Sequence, residues 1–367
     1  MMKKVAIITY HKVYNCGSSL QAYATLQTFL KLGIDVTIIN YVPERFKNYG
    51  SFRQTFAEKR YFSNTLKALI VTLLSYKSRK KQKQQFDKFD KYLHLGDEIY
   101  DEELSLMPEY DIYFTGSDQV WNNYFGGFEK AYFLDFVKHG KPCYAYSASF
   151  GKTQFSLDEK NKLRQLLSKY SKISVRENTG KQILAELDIE SVQLLDPIYV
   201  LSRDEWSKIA ESPIEGKYIL IYQISYKSNC IEYAKHLSTK VGGLPIYFIE
   251  YERRPHKDRI NYFSAPTVNQ FLGLIRNATY MITDSFHGTS FSLKFNRTFF
   301  AIMPPAFPGR LKSILDLLGL QNRIVSSVSE LDDKLSDNIN WEKVNFTLNV
   351  EAVKNISFIK KCISENE

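Results

Sequence analysis

The sequence predicts an α/β protein built from two domains in tandem, each a parallel sheet wrapped by helices, with a cleft between them. Three observations carry that expectation. At 367 residues the chain exceeds one ordinary core, and its length suggests two domains. Short β-rich runs alternate with helical patterns, the mark of a parallel sheet covered by helices. The runs are also nearly continuous in apolar residues, as strands buried on both faces should be.

In the first series the strand-like runs are 4–10 (KVAIITY), 35–40 (DVTIIN), 111–116 (DIYFTG), 143–149 (CYAYSAS), 172–176 (KISVR) and 191–195 (SVQLL). Helical patterns fall at 18–32, 158–170 and 177–187. A second series follows DPIYVLSRDEW (196–206), with strands expected at 218–224, 245–251, 278–283 and 298–303. Its helices are expected at 229–241, 267–276, 287–295 and 310–318. The joint near 200–216 divides the chain into domains 1–205 and 206–367, the second ending in a helical tail. One insertion, at about 41–110, lacks strand runs and carries the basic stretch SYKSRKKQKQQFDKFDKY (75–92). That stretch reads either as a solvated helix face or as a surface for anionic lipid headgroups or an anionic substrate.

With 44% hydrophobic and 24% charged residues, the composition is that of a globular protein. The 25 Tyr and 25 Phe suit an aromatic core and equally suit stacking on sugars. A net charge of +9 points to an acidic partner: nucleic acid, anionic lipid or a phosphorylated substrate. Nucleic acid is the weakest of these, because the basic residues cluster in one insertion and no recognition motif accompanies them. Cys16, Cys143, Cys230 and Cys362 form no CxxC pair, which suggests free thiols in a reducing compartment and no zinc site. The apolar run at Val5–Tyr10 is too short for a secretion signal, and ALIVTLL (68–74) is far shorter than the roughly 18 residues a membrane span needs. A cytoplasmic protein is expected, one that can still rest on a membrane surface.

Four polar turns at strand ends face the side where an α/β cleft opens. The most informative is TDSFHGTSFSL (283–293), where a strand breaks into Asp284, Ser285, Phe286, His287 and Gly288 before a helix resumes. Gly288, Thr289 and Ser290 open that helix, so free backbone N–H groups and small residues stand ready for an anion. His287 sits at the mouth, and Asp284 is placed to orient its ring or to cap the helix. YNCGSSLQAYA (14–24) repeats the design with Asn15, Gly17, Ser18 and Ser19, without the GxGxxG dinucleotide fingerprint. TGSDQVWN (115–122) presents Ser117 and Asp118, and SVRENTG (174–180) presents Arg176 and Glu177. An arginine at a strand's carboxyl end suits bidentate binding of phosphate or carboxylate, and a surface salt bridge to Glu177 is its plain alternative. Asp196, before Pro197, reads as a residue that shapes the linker. No carboxylate or histidine cluster has metal-ligand spacing.

These pieces in order, NCGSSLQAYA, GSDQVWN, SVREN, LLDPIYVL and TDSFHGTSFSL, resemble the polysaccharide pyruvyl transferase family over most of the chain. The resemblance implies two Rossmann-like domains in the GT-B arrangement. It implies transfer of a carboxyethylidene group from phosphoenolpyruvate to a sugar of a polysaccharide or its lipid-linked precursor, with no cofactor. It places the family's histidine on His287 and the arginine after its buried strand on Arg176, both holding or polarising phosphoenolpyruvate. The chain departs from the pattern at Ser285, where many members carry arginine, so either Lys294, Arg297 or Arg310 supplies the second cation, or the donor binds more weakly or is a different one.

The chemistry requires an acid near neutral pKa, cations for carboxylate and phosphate, and a carboxylate near the acceptor hydroxyls. His287 is the candidate acid or phosphate ligand, Arg176 the anion clamp, and Asp118 or Glu177 the group for the hydroxyl. An undecaprenyl-diphosphate-linked oligosaccharide is the expected acceptor, being anionic and cytoplasm-facing. Two rivals stand beside this reading. One is a glycosyltransferase using a nucleotide sugar on the same scaffold; the other is a non-catalytic component of a polysaccharide pathway.

Overall fold

The computed structural model describes residues 3–59, 65–123, 127–225, 227–251, 260–304 and 308–366. The chain opens with β1 (Lys4–Ile8), which is fully buried after Lys4. Helix α1 (Cys16–Lys31) starts at Asn15, whose side chain accepts from the N–H groups of Gly17 and Ser18, and it ends on Lys31, a cation at the negative end of the dipole. Strand β2 (Asp35–Ile38) returns parallel to β1.

The insertion then leaves the sheet as α2 (Phe52–Lys59) and α3 (Thr65–Asp87). Its two ends close on each other: Val42 N–H donates to the Ile99 carbonyl at 2.9 Å, and Ile99 N–H donates to that of Asn40 at 2.9 Å. Residues 60–64 of the insertion lie outside the described residues. The sheet resumes with β3 (Ile112–Thr115), β4 (Cys143–Ala148), α4 (Leu157–Leu167), β5 (Tyr170–Val175), α5 (Asn178–Glu186) and β6 (Val192–Gln193). The six strands are parallel, in the order β2-β1-β3-β4-β5-β6.

Helix α6 (Arg203–Ile209), capped by a Ser202/Glu205 box, leads into the second lobe. That lobe contains β7 (Ile219–Tyr222), α7 (Cys230–Lys240), β8 (Ile246–Glu250), β9 (Asn261–Ser264), α8 (Val268–Asn277), β10 (Tyr280–Thr283), α9 (Phe286–Lys294) and β11 (Thr298–Ala301). Its parallel strands run in the order β11-β10-β7-β8-β9. Helices α10 (Gly309–Leu318), α11 (Val328–Leu335) and α12 (Trp341–Ser364) complete the chain. Each apolar run named from the sequence becomes a strand, most of them trimmed at the ends, while β5 begins at Tyr170, two residues before its expected start. β9 escaped notice because it is a partly exposed edge strand, NYFS, with no continuous apolar run to mark it.

Both sheets change winding direction at their first strand. β1 pairs with β2 on one side and β3 on the other, and β7 pairs with β8 and β10. Crevices open outside the carboxyl ends of strands at such reversals. The turns found there follow β1, β3, β7 and β10, and three of the four motifs singled out above sit on them or beside them.

The lobes are not independent bodies. Trp206 of α6 is fully buried, with its ring 5.6 Å from that of Tyr23 in α1 and 5.1 Å from that of Phe291 in α9. One apolar cluster therefore runs from the first sheet through this connection into the second lobe. Helix α12 belongs to the second half of the sequence yet packs on the first sheet. Phe358 stacks on Tyr146, while Asn355 donates to the Leu195 carbonyl at 2.9 Å and to the Tyr146 hydroxyl at 3.2 Å. The chain thus crosses between lobes twice, which limits how far they can separate.

Asn355→Ala leaves the buried Leu195 carbonyl without the donor that α12 supplies. We expect a loss of about 1–3 kcal/mol in unfolding free energy, read from urea denaturation; an unchanged midpoint would show that α12 does not fasten to the first lobe there.

Candidate functional site

The turn after β1 is fixed by Gln21, whose amide donates to Thr9 Oγ1 (2.9 Å), to the Tyr10 carbonyl (2.9 Å) and to the Ser18 carbonyl (3.0 Å). Thr9 in turn donates to the Ser117 carbonyl at 2.9 Å, tying this turn to the one after β3. Gly116 permits that approach, since a Cβ there would lie 2.6 Å from Thr9 Cβ. Asp118 ends the second turn in the left-handed region, φ +73°, and Ser18 Oγ donates to its Oδ2. Arg176 projects from the carboxyl end of β5, and Asp196 lies just beyond β6.

These residues converge on one buried ionic cluster. Arg176 is 3% exposed; its Nη2 donates to Asp118 Oδ1 at 3.1 Å and its Nη1 donates to Asp196 Oδ2. Asp196 Oδ1 also accepts from Ile198 N–H at 3.1 Å. From the second lobe, His287 Nε2 comes to 3.5 Å from that same Asp196 Oδ2, and Arg310 Nη1 to 3.8 Å from Asp118 Oδ1. Phe286 lies between the guanidinium groups, its ring centre 4.8 Å from Arg176 Cζ and 5.6 Å from Arg310 Cζ. The His287 ring rests directly on Gly17, where a Cβ would stand 2.0 Å from Nδ1. Only glycine at 17 lets the two lobes meet at this depth.

The charges are arranged unevenly. Burial by itself would raise Asp118 and Asp196, but Arg176 above all holds both below the usual carboxylate range. Glu177, 1% exposed, behaves in the opposite way: burial raises it, against the pull of Arg176 and Arg310. Its Oε1 accepts from Ser149 Oγ at 2.8 Å, while Oε2 has no hydrogen-bond partner among the described residues. Arg310 is pushed down to about 10 by burial and by the neighbouring charge of Arg176. Its Nε, the Nε of Arg176 and His287 Nε2 are likewise buried without a hydrogen bond among the described residues. Leaving such groups unpaired costs about 1–3 kcal/mol each, so their concentration in one crevice makes it the candidate site for a ligand.

Among the residues singled out from sequence, His287, Arg176, Asp118, Ser18, Gly17, Glu177 and Arg310 are brought together here. Ser117 and Thr289 are fully buried beside them, each hydroxyl lacking a partner among the described residues. Several others do different work. Asn15 caps α1. Ser285, not Asp284, caps α9, accepting from Gly288 N–H at 3.2 Å. Asp284 neither caps the helix nor orients His287: it accepts from Ile224 N–H (2.6 Å), Ser225 N–H (2.8 Å) and Ser228 Oγ (2.5 Å), pinning the turn after β7. Gly288 lets α9 sit on β10, because a Cβ there would lie 2.5 Å from Thr283 Oγ1. Lys294 stands at the far end of α9, about 12 Å along the axis at 1.5 Å per residue, and donates to the Tyr199 carbonyl at 3.0 Å. Burial there lowers it to about 8. Arg297 donates to the Phe295 carbonyl at 3.2 Å and is absent from the cluster.

Two corrections concern Asp196 and Arg176. Asp196 is no mere linker residue; it is fully buried and joins the lobes through Arg176 and His287. Arg176 is not an open clamp, because both of its Nη groups are already spent on carboxylates. The signal for this was present in the sequence: an arginine at the end of a buried strand needs counter-ions, and Asp118 and Asp196 end the turns beside it. Phe286 gave no such signal, since an aromatic after a strand usually packs in a core.

With two parallel sheets facing a crevice and a returning C-terminal helix, the molecule has the GT-B architecture. Solved structures with the same fold include UDP-N-acetylglucosamine 2-epimerase from Neisseria meningitidis bound to UDP-GlcNAc, at 10% identity and TM-score 0.52, covering 98% of this chain and 100% of that one. UGT89C1 from Arabidopsis thaliana complexed with quercetin is similar at 8% identity and TM-score 0.51, over the full length of both chains. Trehalose-6-phosphate synthase OtsA matches at 10% identity and TM-score 0.52, covering 99% of this chain and 98% of that one. These likenesses concern the fold. A search among curated proteins returned no match. The family model for polysaccharide pyruvyl transferase matches residues 15–304, a span that holds Arg176, Asp196 and His287, and the chain belongs to that family.

Asp196→Asn removes one counter-ion of a buried arginine and should cost about 3–5 kcal/mol at neutral pH. Asp118 and Asp196 are both held below the ordinary carboxylate value, so their contribution is complete above about pH 4 and fades as pH falls below it. Urea denaturation between neutral and acid pH should therefore show a flatter acid limb in the variant; an identical limb would mean that the Arg176 cluster does not carry acid stability.

Proposed function

We propose that the protein transfers the carboxyethylidene group of phosphoenolpyruvate to a pair of sugar hydroxyls in a surface polysaccharide or its lipid-linked precursor. Family membership supports a pyruvyl transferase. The observation that carries the finer reading is the buried interlobe cluster in which Arg310, with one carboxylate at 3.8 Å, and His287 stand beside a carboxyl raised by burial.

Donor and acceptor have complementary needs. A proton must reach the methylene carbon of the enol phosphate, which makes the adjacent carbon electrophilic. One sugar hydroxyl attacks that carbon, phosphate departs with the C–O electron pair, and the second hydroxyl closes the ketal. Of the two hydroxyl protons, one balances the proton given to carbon and the other leaves with phosphate. Arg310 is the cation we assign to the anionic donor, because both Nη groups of Arg176 are held by aspartates while Arg310 has, among the described residues, only Asp118, 3.8 Å from its Nη1. This assigns to Arg310 the positive charge that Ser285 does not provide. His287 is the candidate proton donor and phosphate ligand. Glu177, raised by burial, is suited to take and return a hydroxyl proton. Arg176 acts as a positioning residue that holds Asp118 and Asp196.

A second reading, glycosyl transfer from a nucleotide sugar, is favoured by one feature. A cavity of about 630 Å³ lies against Lys227, Ser228 and Asn229 before α7 and Ser326, Ser327 and Ser329 at the start of α11, large enough for a small-molecule ligand. Thermal stabilisation by UDP- or GDP-sugars but not by phosphoenolpyruvate would select it.

The acceptor we infer is an undecaprenyl-diphosphate-linked oligosaccharide met at the cytoplasmic face of the membrane. Among the described residues no helix is long and apolar enough to cross a membrane. Mass spectrometry of candidate acceptors incubated with the protein and phosphoenolpyruvate should show the mass gain of one ketal. His287→Ala and Arg310→Met should each lower kcat/KM by about 100- to 1,000-fold while the melting curve stays in place. Near-normal turnover in both variants would place the chemistry in another pocket. Arg176→Met, by contrast, should chiefly destabilise the fold.

A further inference from the structure

Over its described side chains, the basic helix of the insertion packs on the body of the protein through its inner face. On its inner face Gln82 donates to the Tyr14 carbonyl at 2.9 Å and accepts from the Tyr49 hydroxyl at 2.6 Å. Phe86 is buried against Tyr14 and against Tyr251 of the second lobe, with ring centres 6.1 and 5.8 Å apart. The outer face carries Leu73, Leu74, Lys77, Lys80, Lys81, Gln84 and Lys88, all exposed and recurring every three or four residues along one line.

Two properties of that line are unusual for a solvated surface. Its lysines are not balanced: no carboxylate lies within ion-pair distance of Lys77, Lys80, Lys81 or Lys88 among the described residues. Lys80 stands over the Tyr76 ring at 6.0 Å, Lys81 donates to the Ser264 carbonyl at 3.0 Å and Lys88 to Gln85 Oε1 at 2.9 Å. The nearest acid along the helix, Asp87, is turned to Lys83, 2.9 Å away, and to Lys12. Between Lys59 and Phe86 the sequence has no acidic residue at all. A helix kept soluble by charge would interleave acids at i,i+4. The second property is the pair of leucines at one end, 43% and 50% exposed, continuing the lysine line into an apolar patch.

We propose that the outer face of α3 docks on an anionic lipid bilayer, its lysines among the headgroups and Leu73 and Leu74 in the acyl boundary. A soluble polyanion would satisfy the lysines but give the leucines no partner; a bilayer interface takes both. The helix, about 34 Å long at 1.5 Å per residue, lies along the surface and does not enter it. The inference stands apart from the reaction assigned to the cleft and holds or fails without it. Because Lys81 and Phe86 also reach the second lobe, the membrane would meet the molecule where both lobes share one support.

The test is co-sedimentation of the full chain with vesicles of phosphatidylcholine alone or with roughly one-third phosphatidylglycerol, at low and high salt. Binding should require the anionic lipid and weaken steeply with salt. Lys77→Glu with Lys80→Glu should lower partitioning by about tenfold or more, and the milder Lys77→Gln with Lys80→Gln by less. Leu73→Ser with Leu74→Ser should also weaken binding while the salt dependence persists. None of these residues belongs to the cleft, so melting curves should not change. Equal sedimentation with both vesicle types overturns the proposal. So does undiminished binding of the leucine variant together with retention on soluble polyphosphate, the mark of a polyanion site.

Discussion

One buried arginine sets the terms for this molecule. Arg176 leaves a strand end inside the first lobe and cannot stay there as a lone charge, because desolvating an unpaired guanidinium costs several kcal/mol or more. Asp118 and Asp196 answer it from two neighbouring turns. Asp118 adopts a left-handed backbone, an uncommon conformation for a non-glycine residue that its many partners hold in place. Ser18 ties that aspartate to α1, and Asp196 caps the short turn Pro197–Tyr199 that precedes α6. The ionic centre thus ties together the polar turns of the first lobe.

The second lobe is fitted onto this centre. His287 approaches the same oxygen of Asp196 that Arg176 already holds, and its ring lies flat enough on α1 that position 17 has no room for a side chain. Trp206 seals the connection with apolar contacts to helices of both lobes, and α12 crosses back to the first sheet. The ionisable groups at this point, Arg176, Asp118, Asp196 and His287, are all buried. Electrostatic interactions among them are stronger than at the surface, since little water screens them. A ligand entering there exchanges its hydration for fixed donors that are already oriented.

The division of labour between the arginines follows from charge balance. Arg176 has two anionic partners at hydrogen-bond or ion-pair distance; Arg310 has one distant partner and is lowered to about 10, by burial first and by the charge of Arg176 second. An arriving anion would relieve Arg310 and gain little from Arg176. On the outside of the molecule the same logic applies in weaker form, where the lysine line of α3 lacks the acids that would neutralise it. Burial concentrates charge effects at the centre, and salt screens them at the surface.

Much of the fold was legible in the sequence. Continuous apolar runs such as VAII and YMIT, short and bounded by polar turns, suit buried strands, and their alternation with helical patterns points to parallel pairing. The polar turns that end them, with Gly17, Asp118, Arg176 and His287, could be identified because a strand that stops at a polar, glycine-containing turn displays its residues at the carboxyl edge of the sheet. Partnership could not be read there. Asp196 and Asp284 look alike as aspartates after apolar runs, yet one sits at the ionic centre and the other pins a distant turn. Arg176 and Arg310 look alike as cations, yet only one is spent. Such differences depend on groups separated by 20 to 192 residues in the chain. Three-dimensional packing alone decides which of them meet, because a buried charge takes its character from its nearest opposite, wherever in the sequence that lies.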